Sequence, residues 1–96
     1  MVGVFLVAGC DHYQKPEDID CTLILDRDKN MECVYNKSIL TGNAGLCRDI
    51  MNEKMRDECI DEVAVSLLDH YSCRQHDRMK KRDACQAKVG EAKKRA

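Results

Sequence analysis

From Met55 onward the chain carries apolar residues at 55, 59, 60, 63, 64, 67 and 68. That spacing gathers them into one stripe along a helix. No proline or glycine interrupts the stretch between Cys47 and Gly90. Asp69-His70-Tyr71-Ser72 ends the stripe, and Ser72 is expected to cap a new helix at Cys73. Earlier in the chain Gly42-Asn43-Ala44-Gly45 is the equivalent break, a turn signal. The pattern predicts short helices, each followed by a tight turn and a longer helix. After Cys85 the stripe thins to Ala87, Val89 and Ala92 within QAKVGEAKKRA. This predicts a terminal element with a polar outer face, as the end of a stack requires, and a frayed last turn. The other end differs: seven of the first nine residues, MVGVFLVAG, are apolar and none is charged. Cys10 follows, then a polar stretch holding the single proline, Pro16.

The cysteines give this pattern a period. Cys21, Cys33, Cys47, Cys59, Cys73 and Cys85 are separated by eleven and thirteen residues in alternation, a repeat of 26. A fixed period of this length marks a stacked repeat. The second and third units share Arg48/Arg74, Lys54/Lys80, Arg56/Arg82, Asp57/Asp83 and Val63/Val89; the first shares Ile24/Ile50 and Glu32/Glu58 with the second. Each unit thus reads as a short helix at its first cysteine, a turn, and a longer helix holding its second. Residues equidistant from the turn of a helical hairpin face each other, and Asn52-Glu53 lies midway between Cys47 and Cys59. Pairing Cys21–Cys33, Cys47–Cys59 and Cys73–Cys85 is therefore the expected connectivity among the fifteen that six cysteines allow. A Cys59–Cys73 bond would have its midpoint at Ser66, inside a continuous helix. The expected fold is all-α: three short disulfide-stapled helical hairpins of 26 residues, stacked as a small solenoid or bundle over residues 21–96.

Composition agrees with stapling. Ninety-six residues make one domain at most, and with one Phe, three Tyr, no Trp and 34% charged residues there is little to bury. Seven cysteines in so short a chain point to a disulfide scaffold in an oxidising compartment. The net charge of −1 conceals an uneven distribution: residues 1–73 sum to −7 and residues 74–96 to +6. The basic end reads as a solvated helix terminus complementing the helix dipole, or as a docking patch for an anionic surface. Nucleic acid is not expected, because no aromatic lies in the basic stretch to stack on bases.

The pattern C-R-D-I…R-D-E-C…V-A, best seen from Cys47 to Ala64, resembles the cysteine-paired helical-hairpin repeats of uncharacterised secreted and membrane-anchored prokaryotic proteins. The resemblance covers roughly residues 20–90 and implies a helical extracytoplasmic module with no implied activity. Twin-cysteine coiled-coil-helix proteins of the mitochondrial intermembrane space are similar in architecture but space their cysteines by nine within each helix.

Candidate chemistry is sparse. His70-x-x-Cys73-x-x-His76, flanked by Asp69 and Asp77, offers residues that zinc uses, but the period assigns Cys73 to a disulfide and no metal is expected. Asp26-x-Asp28-x-Asn30 opens like a calcium loop, yet Met31 stands where glycine is needed and Lys37 where a bidentate Glu is needed. An acidic turn capping the next helix is the reading there. No nucleophile elbow, metalloprotease helix or glycine-rich phosphate loop occurs, so neither catalysis nor a cofactor is expected. Asn36-Lys37-Ser38 is a glycosylation sequon, relevant only in a eukaryotic secretory host.

Val7-Ala8-Gly9-Cys10 resembles the lipobox of bacterial lipoproteins. That resemblance implies a leader over residues 1–9, cleavage before Cys10, acylation of Cys10, and an acylated cysteine with a polar linker over residues 10–20. The leader is nine residues long and has no Lys or Arg ahead of its apolar run, so the expectation is that translation starts upstream of Met1. Cys10 also stands eleven residues ahead of Cys21, off the beat of the other six, and an odd cysteine in a secreted protein needs a role. The expected function is a lipid-anchored interaction module of the cell envelope (periplasm or cell surface) with a protein partner. The alternative is a soluble secreted effector or inhibitor on the same scaffold; a thiol- or metal-handling protein is a third reading.

Overall fold

A computed structural model describes residues 18–96. The leader, Cys10 and most of the linker lie outside the described residues. Among the described residues the 3-10 helices η1 (Cys21–Leu23), η2 (Ala44–Asp49) and η3 (His70–Gln75) alternate with the α-helices α1 (Arg27–Thr41), α2 (Glu53–Leu67) and α3 (Met79–Arg95). Each η–α pair is one 26-residue unit, and no strand occurs among the described residues. Packing is sequential: α1 meets α2 and α2 meets α3, with no α1–α3 contact. Each unit therefore touches only its neighbours, as in a solenoid.

The turns repeat as faithfully as the cysteines. Asp26 and Asn52, one period apart, cap α1 and α2 by accepting from the backbone N–H of Lys29 and Met55. Arg78 holds the third such position and makes no side-chain cap bond. At the other end of the helices, Gly42 and Leu68 both adopt the left-handed conformation, with φ of 67° and 52°. In each case the following residue closes back five positions, Asn43 N–H to the Ser38 carbonyl at 3.0 Å and Asp69 N–H to the Ala64 carbonyl at 2.9 Å. These are Schellman closures, which satisfy the last helical carbonyls and reverse the chain. Leucine at such a φ is strained, because its Cβ crowds the following carbonyl; glycine is not.

The next residue starts the following 3-10 helix. Asn43 and Asp69 accept from Gly45 N–H and Tyr71 N–H, both at 3.0 Å. This corrects the expected cap at Ser72. Asp69 is the cap, and the buried Ser72 hydroxyl donates to its carboxylate at 3.1 Å. The helix thus begins at His70, three residues before Cys73. At the other end of the chain α3 runs helical through Arg95. Lys93, Lys94 and Arg95 in its last turn oppose the negative end of the helix dipole.

The three bonds are local: Cys21–Cys33, Cys47–Cys59 and Cys73–Cys85, each spanning twelve positions with Cα atoms 5.6–5.7 Å apart. Each ties a 3-10 helix to the long helix that follows it. Closing a loop of this length contributes about 3 kcal/mol in the chain-entropy account. The last two bonds lie fully inside the protein.

Candidate functional site

The two junctions between units are built from different materials. Between the first and second units, Ala44, Cys47, Ile50, Cys59, Ile60 and Val63 form a buried apolar cluster, with Met31, Val34, Tyr35, Ile39 and Met55 packed against it. Between the second and third, the apolar cluster shrinks to Ala64, Cys73, Cys85 and Val89, with Val65 beside it. A polar group completes this second junction. His76 follows η3 at the register held by Ile50 one period earlier, and it is 2% exposed.

His76 reaches back to α2. Its Nε2 lies 2.7 Å from Asp61 Oδ1, and its Nδ1 lies 3.4 Å from Asp57 Oδ1 without hydrogen-bond geometry, leaving Nδ1 buried and unpartnered. Asp57 and Asp61 are one helical turn apart, so both carboxylates line the face that meets the imidazole. Lysines of α3 cover them from the other side. Lys81 donates to Glu53 at 2.9 Å and to Asp57 at 2.5 Å, and Lys88 donates to Asp61 Oδ2 at 2.6 Å. Arg82 Nε donates to the His76 carbonyl at 2.7 Å. Asn30 Nδ2 touches the Ile24 carbonyl in the same register of the first unit, at 3.4 Å.

Charges respond as this geometry requires. Burial acts to raise the Asp57 carboxyl, but Lys81 and His76 outweigh it and hold Asp57 below the ordinary carboxylate value. The Lys81 ammonium is raised by its hydrogen bonds to Asp57 and Glu53. Glu53 is lowered, chiefly by Lys81. On the far side of Asp61 a shallow groove is lined by Tyr35, Glu58, Glu62, Val65 and Lys88. Burial, then Glu62 and Glu58, push the Tyr35 phenol upward.

The sequence-selected candidates fall apart in space and role. His70 is exposed, Cys73 is bonded to Cys85, Asp69 caps η3, and Asp77 faces Arg48 at 3.8 Å. His76 instead finds its partner fifteen residues back, in the previous unit. Asp26 is a helix cap, and Asn30 points its amide N–H at the Cys21 carbonyl, 2.6 Å away, as a donor. Sequence reasoning missed the Asp57–Asp61–His76–Lys81–Lys88 cluster. The signal was in the period: extending Ile24/Ile50 by 26 places His76 at a core register. The charge imbalance has an internal use too, since basic α3 lies on acidic α2.

No helix among the described residues is long and apolar enough to cross a membrane. No family model, curated protein or solved structure matches the chain.

Proposed function

We propose that the chain is a lipid-anchored interaction module of the cell envelope, without catalytic activity, held to the membrane through an acylated Cys10 and presenting its stapled repeats to a protein partner. The observation that carries this reading is the cysteine arithmetic. Three intrachain bonds use six of the seven cysteines and are consistent with an extracytoplasmic or secreted protein. The seventh, Cys10, follows small residues and an apolar run. Burial of acyl chains at about 0.8 kcal/mol per CH₂ makes a multiply acylated cysteine a stable anchor. The repeat faces also support binding. Leu25 and Met51, at equivalent positions just before α1 and α2, are 97% and 72% exposed.

The test is the mass of the mature N-terminus, with its native upstream sequence, expressed in a bacterial host. A diacylglycerol and an acyl chain on Cys10, lost in Cys10→Ser and blocked by a signal-peptidase II inhibitor, is the expected result. A released chain with unmodified Cys10 contradicts the anchor and selects the soluble secreted effector or inhibitor.

A further inference from the structure

The third staple sits against the only buried histidine among the described residues. One carboxylate oxygen of Asp61, one ring nitrogen of His76 and the sulfur of Cys85 all lie within 4.8 Å of one another. Cys85 is bonded to Cys73, so a second sulfur belongs to the same cluster. His76 is 2% exposed and its Nδ1 has no hydrogen-bond partner. A buried imidazole with an unused nitrogen between two carboxylates is costly to retain where the previous unit uses isoleucine. Cys73, His76 and Cys85 with Asp61 are two soft sulfurs, one imidazole and one carboxylate, a donor set that suits Zn²⁺ in four-coordinate geometry.

We propose that the second junction is a redox-gated zinc site: when the Cys73–Cys85 bond is reduced, Cys73, Cys85, His76 and Asp61 bind one Zn²⁺ and hold the third unit in place of the disulfide. A dithiol donor supplies the two electrons and two protons that break the S–S bond, and itself closes to a disulfide. Zn²⁺ then displaces the two thiol protons to solvent, leaving thiolate ligands, and the imidazole proton held against Asp61 shifts from Nε2 to Nδ1. The cation replaces that proton, and His76 Nε2 and Asp61 Oδ1 part from their 2.7 Å contact to ligate it. Asp57, whose Oδ1 lies 3.4 Å from Nδ1, turns to accept a hydrogen bond from Nδ1–H and fixes the tautomer, the usual outer partner of a zinc-bound histidine. Lys88 stays on the second oxygen of Asp61. The other two staples lack this chemistry: the register of His76 is Ile24 in the first unit and Ile50 in the second.

The test uses the whole chain reduced with a phosphine, which does not compete for the metal, with or without one equivalent of Zn²⁺. Thiols are then alkylated and mapped by peptide mass, with circular dichroism followed in parallel. The expected result is that Zn²⁺ slows alkylation of Cys73 and Cys85 by at least about tenfold and leaves Cys21, Cys33, Cys47 and Cys59 reactive. His76→Gln and Asp61→Asn should abolish the protection, Asp57→Asn should weaken zinc affinity about 10–100-fold, and His70→Gln should change nothing. Protection of no thiol, of all six alike, or of Cys73 and Cys85 equally in His76→Gln overturns the proposal. Loss of helicity on reduction that Zn²⁺ does not reverse overturns it as well.

Discussion

The junction between the first two units and the junction between the last two are the same joint made twice. The backbone is nearly superimposable in kind: a Schellman closure, an Asn or Asp cap, a 3-10 helix, and a disulfide to the next long helix. The fillings differ. Ile50 sits in an apolar cluster, and His76 at the same register sits among Asp57, Asp61, Lys81 and Lys88. The repeat dictates geometry while leaving the chemistry of each joint free. Where α3 has little apolar surface to offer, charge replaces it. Burial is non-directional and an ionic cluster is not, so the second joint is the more specific and the more sensitive to solution conditions.

Substitution at this shared register has the largest expected effects. Ile50→Ala opens a cavity in the apolar joint and should cost about 2–5 kcal/mol in chemical unfolding. His76→Ala leaves Asp57 and Asp61 short of a partner and should cost about 3 kcal/mol. His76→Ile alone strands the same carboxylates and should cost about as much, whereas His76→Ile with Asp57→Met and Asp61→Tyr, which gives the second joint the residues that Ile50, Met31 and Tyr35 supply to the first, should stay within about 1 kcal/mol of wild type or exceed it, because apolar replacement of a whole buried polar cluster is often neutral or stabilising. If the triple variant were as damaging as His76→Ala, the polar cluster would be indispensable to the joint.

That contrast also locates what the sequence could show. Period, staples and helix pattern were legible because each is local: the cysteines keep a fixed count, and the stripe at 59, 60, 63 and 64 is the buried face of α2. The His76 cluster was not, because its contacts span fifteen to twenty-seven residues and form only after the units stack. His70, two residues from Ser72, was as good a candidate by motif, yet it faces solvent. Spacing within a motif says little when the partner belongs to another unit; register across the period says more. The cap at Asp69 was missed for a related reason. Ser72 adjoins the cysteine, but the cap must precede the first helical residue, and the period points to Asp69 through Asn43.

Smaller differences test the turns. Gly42→Ala puts a Cβ 3.1 Å from Leu67 Cδ1 at a φ of 67° and should cost about 1–2 kcal/mol. Leu68→Gly, at the matching position of the second junction, trades relief of the same strain for lost packing and should stay within about 1 kcal/mol of wild type. Arg78→Asn supplies α3 with the cap that α1 and α2 already have, and thermal unfolding should report a gain of about 0.5–1 kcal/mol. The smallest effect is in pH. Asp57 is held below the ordinary aspartate value of 3.8, so its contribution is present above that pH and is lost as pH falls through its folded value. The difference in melting temperature between wild type and Asp57→Asn should therefore narrow on acidification. A difference that widened would reverse the assigned sign.

All of these comparisons presuppose that each unit closes on itself. A peptide map of the unreduced protein tests that most directly. The account predicts three links, Cys21–Cys33, Cys47–Cys59 and Cys73–Cys85, with Cys10 in none of them. A Cys59–Cys73 link, or Cys10 in any disulfide, would contradict it.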